Sequence, residues 1–288
     1  MITARVAAGV VFVAAVLLGT LVDVPARASP LAPSVLIGDL HVHAFPADGI
    51  IPVWDVQREA ARRGLDVVAI TNHNRDFSVP LARATGLLRD YPIVIPSQEL
   101  TAPAFHMAAI GVREMIDWRL SARAAIEKIH EQGGVAIAAH PVAISWRDND
   151  PEALAVLDGA EVSHPMILES KQWGSELERF YTNARAVNPG IAPIGSSDYH
   201  GGAPLGICRT YLIVDEVSRA GVLDAIRGGR TVASGPGDRL IGDDANVRLV
   251  KKHLARRQPP GWGYSSSTWV ALTAILALGA LVVSGRGQ

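Results

Sequence analysis

Val35-Leu36-Ile37-Gly38-Asp39-Leu40-His41-Val42-His43 is a short apolar run that ends in two histidines one residue apart. A run of this kind suits a strand buried on both faces. Alternation along an extended backbone puts His41 and His43 on one side, where two imidazoles can grip one metal ion. The arrangement recurs down the chain. Asp66-Val67-Val68-Ala69-Ile70 runs into Thr71-Asn72-His73-Asn74, and Ile93-Val94-Ile95 leads to Glu99. Met107 to Val112 begins just after His106, and Val135-Ala136-Ile137-Ala138-Ala139 delivers His140-Pro141. Ala160-Glu161-Val162 ends at His164-Pro165, and Ile191-Ala192-Pro193-Ile194 ends at Ser197-Asp198-Tyr199-His200. Thr210 to Val214 is the last apolar run of the series.

Amphipathic segments separate these runs. Pro52 to Arg63, with Val53, Val56 and Ala60 on one face, stops at Gly64; Ser121 to Gln132 stops at Gly133-Gly134. Further helices are expected over Pro151 to Leu157, Ser175 to Val187 and around Val222 to Arg227. Strand and helix in alternation predict an α/β fold built of βαβ units around a parallel sheet. Histidines and carboxylates gather at the C-terminal ends of the strands, the face on which α/β barrels build their sites.

The chain has 288 residues and a formal charge of -1, with 19% charged residues, so no overall field marks it as a nucleic-acid binder. Without its apolar ends roughly 230 residues remain, enough for one large domain. Cys208 is the only cysteine, which rules out an internal disulfide and reads best as a small core residue.

Neutral imidazole and carboxylate oxygen suit Zn²⁺, Mn²⁺ or Fe²⁺, and the lack of a cysteine cluster argues against a structural zinc site. His41, His43, His73, Glu99, His106, His140, Asp198 and His200 are too many donors for one closed site. Two or three ions sharing a bridging carboxylate would use them, and paired ions activate water for hydrolysis.

Gly38-Asp39-Leu40-His41-Val42-His43, Asp48-Gly49, Val68 to Asn74, Glu99, His140-Pro141 and Gly195 to His200 resemble, in order, the four motifs of the polymerase-and-histidinol-phosphatase (PHP) superfamily over Val35 to Ser234. The resemblance implies a distorted TIM-like (β/α)7 barrel with a trinuclear centre on its C-terminal face. His41, His43, Glu99 and Asp198 would hold the first ion. Glu99 would bridge to a second, shared with His106 and His140, while Asp48, His73 and His200 would serve a third. His41, His43, Glu99, Asp198 and His200 would be the catalytic set. Members cleave phosphomonoesters or phosphodiesters, including nucleotides and short RNA. Ala225 to Thr231 and Ser234-Gly235-Pro236 resemble an exported branch that includes carbaryl hydrolases, which implies carboxylic or carbamic ester hydrolysis as an alternative. A third reading is a catalytically silent scaffold. Two positions depart from the family pattern: Asn72 stands where an aspartate is usual, and the stretch before His106 is short.

Outside the ligand set, Asp39 is expected to cap a turn or orient His41, and Glu161 to act as acid or base or to orient a histidine. Arg147 and Arg209 could neutralise a substrate phosphate. His164 fits either a substrate contact or a satisfied polar group; His130 fits a helix surface and His253 a basic stretch.

Both ends are apolar. Arg5, Val6 to Val22 and Ala26-Arg27-Ala28 predict a signal peptide or N-terminal membrane anchor over 1–28. The domain is expected over 35–240, a basic and Pro/Gly-rich linker over 241–267, and a transmembrane helix over 268–284 flanked by Trp262, Tyr264 and Trp269. The catalytic domain is thus expected to be membrane-anchored on the extracytoplasmic side, with a small phosphorylated or ester substrate and no protein partner.

Overall fold

The computed structural model describes residues 34–255, apart from 75–76, 148–149, 202 and 238, together with isolated positions 6, 10, 11, 14 and 30. Its centre is one ten-stranded sheet: β1 (Ser34–Val42), β2 (Val67–Ile70), β3 (Ile93–Thr101), β4 (His106–Ile110), β5 (Val135–Ala138), β6 (Gly159–Ser163), β7 (Ala192–Gly195), β8 (Arg209–Val214), β9 (Thr231–Ser234) and β10 (Leu240–Ile241). The order is β10-β9-β8-β1-β2-β3-β4-β5-β6-β7. The sheet curls until β7 lies against β8 and β9, forming a nearly closed, distorted TIM-like barrel. Side chains fasten that seam: Gly195 N–H donates to Thr210 Oγ1 (3.0 Å), and Thr231 Oγ1 donates to the Pro193 carbonyl (2.9 Å).

Leu36 and Leu40 of β1, Val67 and Ala69 of β2, Ile95, Ile137, Ile194 and Leu212 fill the barrel in one cluster. Helix α6 (Arg219–Arg227) adds Val222 and Ile226 to that cluster. Outside the sheet, α1 (Val53–Arg62), α2 (Ser78–Ala84), α3 (Ala122–Glu131), α4 (Pro151–Leu154), α5 (Lys171–Val187) and α7 (Asp244–Leu254) bury their apolar stripes. Ser121, Ser170 and Ser218 start α3, α5 and α6 by accepting an N–H of the first turn, one of the donors a helix leaves unpaired.

The sheet is mixed, which corrects the expected parallel one. β4 pairs antiparallel with both β3 and β5, because the four residues 102–105 allow a hairpin but no crossover. β8 likewise runs antiparallel to β1 and β9.

The membrane-anchored, extracytoplasmic placement expected from the chain's ends is also corrected: among the described residues no helix is long and apolar enough to cross a membrane. The longest, α5, has 17 residues and carries Lys171, Glu176, Glu178, Arg179 and Arg185, whereas a span needs about 20 predominantly apolar ones. The expected segments at 1–28 and 268–284 lie outside the described residues, save positions 6, 10, 11 and 14 of the first. The expected linker is helical in its first part. Val247, Val250 and Leu254 recur along one face of α7 and pack on the outer core, which leaves Lys251 and Lys252 exposed.

Candidate metal centre

The strand that opens the sequence reading carries a phase change. Val35 and Ile37 face the outer helices and Leu36 and Leu40 the barrel interior, but Val42 and Ala44 again face outward. The alternation has slipped between Leu40 and Val42, where the pairing with β2 shifts register between Asp39 and Val42. Such an irregularity re-aims side chains, and here it turns His41 and His43 inward. Beyond the strand, Gly49 permits the return of Asp48, since a Cβ there would fall 2.2 Å from the His43 carbonyl oxygen.

Asp39 is fully buried and ties β1 to the loop after β7. Its carboxylate accepts from Ser197 N–H (3.0 Å), Ser197 Oγ (2.5 Å) and Gly206 N–H (2.8 Å). Tyr199 O in turn accepts His43 N–H at 2.9 Å. Asp39 thus positions Asp198 and His200 against β1, and it also accepts His41 N–H at 3.5 Å, the turn-capping contact expected of it. Asn74, His140 and Asp198 adopt positive φ (48°, 29° and 48°), a region L-residues enter at a cost and mostly where a site demands it.

All nine residues picked out in the sequence converge. His41 Nε2 lies 3.4 Å from Glu99 Oε2 and 3.3 Å from Asp198 Oδ1. His43 Nε2 lies 3.5 Å and 3.1 Å from the same two oxygens. A tetrahedron of donors with bonds of 2.0–2.1 Å has edges of about 3.4 Å, which these four contacts match; His41, His43 and Glu99 also bring donor atoms that all lie within 4.8 Å of one another. The other Glu99 oxygen, Oε1, faces His106 Nδ1 (3.1 Å) and His140 Nε2 (3.2 Å). Asp48 Oδ2 faces His73 Nε2 (3.2 Å) and His200 Nε2 (3.3 Å), and Asp48 Oδ1 meets His43 Nδ1 at 3.2 Å. The four groupings able to hold an ion are all drawn from this cluster.

Burial sharpens the point. His41 Nε2, His43 Nε2, Glu99 Oε2, Asp198 Oδ1 and His106 Nδ1 are buried with no hydrogen bond of good geometry, although His73 Nδ1 lies 2.7 Å from Glu99 Oε2. Leaving one such atom unsatisfied costs about 1–3 kcal/mol, more when it is charged, and five in one spot make a donor set that suits a cation. The electrostatics agree. Burial alone would lower His41, but the carboxylates of Asp198, Glu161 and Glu99 outweigh it and hold the ring well above its ordinary 6.5. Burial likewise opposes ionisation of Glu99, yet the surrounding imidazoles, His41 foremost, keep its carboxyl well below the usual range. Asp198 and Asp48 are lowered against burial in the same way, Asp198 chiefly by the His41 charge and Asp48 by hydrogen bonds from His200 and His43. Asp39 is pushed up to about 6 by burial despite its hydrogen bonds.

Two supporting residues were left open or partly read in the sequence. Glu161 Oε1 lies 3.0 Å from His41 Nδ1, and its Oε2 accepts His140 N–H at 2.6 Å, so one carboxylate orients two histidines. His164 Nδ1 accepts Met166 N–H, which leaves Nε2 as the protonated nitrogen, 3.5 Å from Asp198 Oδ2. The strand-end position of His164 was its only signal. Asn72 accepts Ala44 N–H at 2.8 Å and donates to Ser78 Oγ, so it braces the turn after His43 and orients no ligand. Buried Arg209 donates to the Gly206 carbonyl and takes its place in that loop. Burial pushes the Cys208 thiol up to about 12, which fits a core residue. His130 lies on exposed α3, 2.7 Å from Asp158.

Comparison with known proteins adds the fold. No protein-family model matches the chain. An uncharacterized protein of Methanocaldococcus jannaschii is 32% identical over 115 residues, 36% of this chain; the match spans 66% of that curated relative's length. A two-domain protein containing a predicted PHP-like metal-dependent phosphoesterase from Bacteroides vulgatus shares 21% identity, with 80% of this chain and 74% of that one covered at a TM-score of 0.59. PsfC from Pseudomonas syringae shares 16% over 77% of this chain and 97% of its own, at 0.52. The chain therefore has the fold of the PHP-like structures. Neither structure bears on the carbaryl-hydrolase branch suggested by residues 225–236.

Proposed function

We propose that this chain is a metal-dependent phosphoesterase acting on phosphomonoesters or on nucleotide and short RNA phosphodiesters, with two or three divalent ions (Mn²⁺, Zn²⁺ or Fe²⁺). The observation that carries the reading is the set of orphaned buried atoms, His41 Nε2, His43 Nε2, Glu99 Oε2 and Asp198 Oδ1, each of the two imidazole nitrogens lying 3.1–3.5 Å from both carboxylate oxygens. Glu99 lends its second oxygen to His106 and His140, and Asp48, His73 and His200 supply a third group. Bound ions of this type lower the pKa of water and offset charge on a phosphoryl oxygen.

The rest falls to the protein. Glu99, bonded into the middle of the cluster from β3, sets the spacing between two donor groups. Those groups beyond the first offer three donors each, which leaves places for water or substrate oxygens. Glu161 keeps His41 and His140 in register, and Asp39 keeps the Asp198 loop on β1. His73 and His200, 39% and 38% exposed, line the side open to solvent, and the Asp198 carbonyl beside His200 Nδ1 at 3.0 Å would hold that ring with Nε2 turned to the ion.

The deciding experiment treats the protein with chelator, reloads it with each ion, and follows p-nitrophenyl phosphate, bis-p-nitrophenyl phosphate and p-nitrophenyl acetate. Turnover of the phosphate esters is the expected result. Turnover of the acetate alone would transfer the assignment to carboxylic or carbamic esters, and ion-loaded protein that turns over none of them would leave the scaffold reading.

A further inference from the structure

On α5, Glu176, Arg179, Phe180 and Asn183 recur at i, i+3, i+4 and i+7 and so share one face of the helix. Across from this face runs the loop after β5, residues 141–147, and between the two lies a cavity of about 280 Å³ whose lining includes Trp146 and Arg147. Two guanidinium groups therefore border one small space. Arg179 acts on the nearby Glu176 carboxylate without an ion-pair contact as close as those of Arg185, Arg230 and Arg239, and Arg147 has no ion pair among the described residues. The acid in the lining, Glu176, is already engaged: Oε2 accepts Ala143 N–H (2.8 Å) and Oε1 accepts Gln172 Nε2 (2.9 Å). It serves as a strut for the loop, held as acceptor to fixed donors. Trp146 is 5% exposed, and its Nε1–H is a buried donor with no acceptor. Two like charges bordering a concave space, with one unfilled N–H on Trp146, favour an anion, and a guanidinium matches the planar fork of an oxyanion.

We propose that this cavity is an oxyanion site for a phosphate group, either free phosphate or the non-reacting phosphate of a larger ligand. Only the second source rests on the phosphoesterase reading. The site abuts the metal centre through its own loop: residue 140 opens it, the Ser145 carbonyl accepts His106 N–H at 2.8 Å, and Ser145 Oγ donates to the His140 carbonyl at 2.5 Å. An anion seated here would press on the segment that seats both histidines.

Isothermal titration of the full, chelator-treated chain with inorganic phosphate tests the site without turnover or metal. Wild type, R147Q/R179Q, R147K/R179K and H73A/H200A are compared, with circular dichroism as a check on folding. All the substituted side chains are exposed or half-exposed. Wild type and H73A/H200A should bind alike, the lysine variant should keep most of the affinity, and R147Q/R179Q should bind at least tenfold more weakly. The proposal falls if wild type shows no saturable binding, if R147Q/R179Q binds as wild type does, or if binding disappears in H73A/H200A, which would place the phosphate on the histidine cluster. Kinetics then separate the sources. A KM raised in R147Q/R179Q for an alkanediol bisphosphate but not for p-nitrophenyl phosphate assigns the site to the substrate, and unchanged KM for both assigns it to free phosphate. An inactive wild type would sink the phosphoesterase reading while leaving the titration intact.

Discussion

The inner and outer donor groups of the centre are built from the same side-chain types and differ in their access to water. His41, His43 and Glu99 have no exposed side-chain surface, whereas Asp48, His73 and His200 are a third or more exposed. Outer donors can be solvated when no ion is bound; inner ones cannot, and five of the atoms around them have no hydrogen bond of good geometry. The lesson is that identical chemistry gives a tight, structural demand for a cation inside and a loose, exchangeable one outside.

Removal of Glu99 should break the contrast most severely, because it serves both the first and the second donor group. For E99A the expected loss is at least one ion per chain by elemental analysis and on the order of 1,000-fold in kcat/KM, the several kcal/mol an ion contributes. A variant that kept its metal content would sink the assignment. E161Q comes next: with its charge gone, His41 and His140 lose their common anchor, and the inner ion should bind roughly 10–100-fold more weakly in chelator competition. The outer ion should be unaffected, which separates local orientation from general loosening. H200A should cost turnover less than either change and lower occupancy of the outer group alone, with the melting temperature unchanged, because its ring is part-exposed and can be replaced by water.

The smallest expected effect is on stability against pH. In chelator, His41 has a pKa raised by Asp198, Glu161 and Glu99, so its contribution is complete below its ordinary 6.5 and is lost as pH rises through the raised value. Glu99 and Asp198, both lowered, contribute above their ordinary 4.5 and 3.8 and lose this as pH falls through their lowered values. Asp39, pushed up to about 6, costs stability as pH rises from 3.8 through 6. Metal-free protein should therefore melt highest between about 4.5 and 6.5 and drop by about 2–4 °C for each kcal/mol lost on the alkaline side. Metal replaces the protons and should move that optimum upward. A metal-free chain that gains stability from pH 6.5 to 9 contradicts this account of the inner group.

The barrel and the convergence of the nine residues were legible because most donors stand at or beyond the C-terminal end of a strand, and those ends of an α/β barrel share one face; His106 opens β4 instead and reaches the same face because that strand runs antiparallel. The direction of β4 was not legible, since apolar content says nothing of polarity; the four-residue link before His106 was the available clue. The helix over Asp244–Leu254 was masked by its basic residues, although Val247, Val250 and Leu254 keep a helical repeat. Glu161 could be suspected, but its double use by His41 and His140 depends on a third dimension that no spacing records. Asp39 was half legible: its short-range contact with His41 N–H follows from two-residue spacing, but its bonds across 158 residues to Ser197 do not. The inward turn of His41 and His43 conceals a slip of alternation, and the simple rule reached the right side for that pair because the slip lies just before them.

The left-handed backbone of His140 and Asp198 pulls folding and chemistry apart. At these two points the chain would rest more easily on glycine, by about 1 kcal/mol. Imidazole and carboxylate are kept there against the preference of the polypeptide. Metal-free libraries screened for heat resistance alone should thus drift toward H140G but not D198G, because Asp198 also offsets the buried His41 charge, and would yield sturdier barrels that hold metal less well.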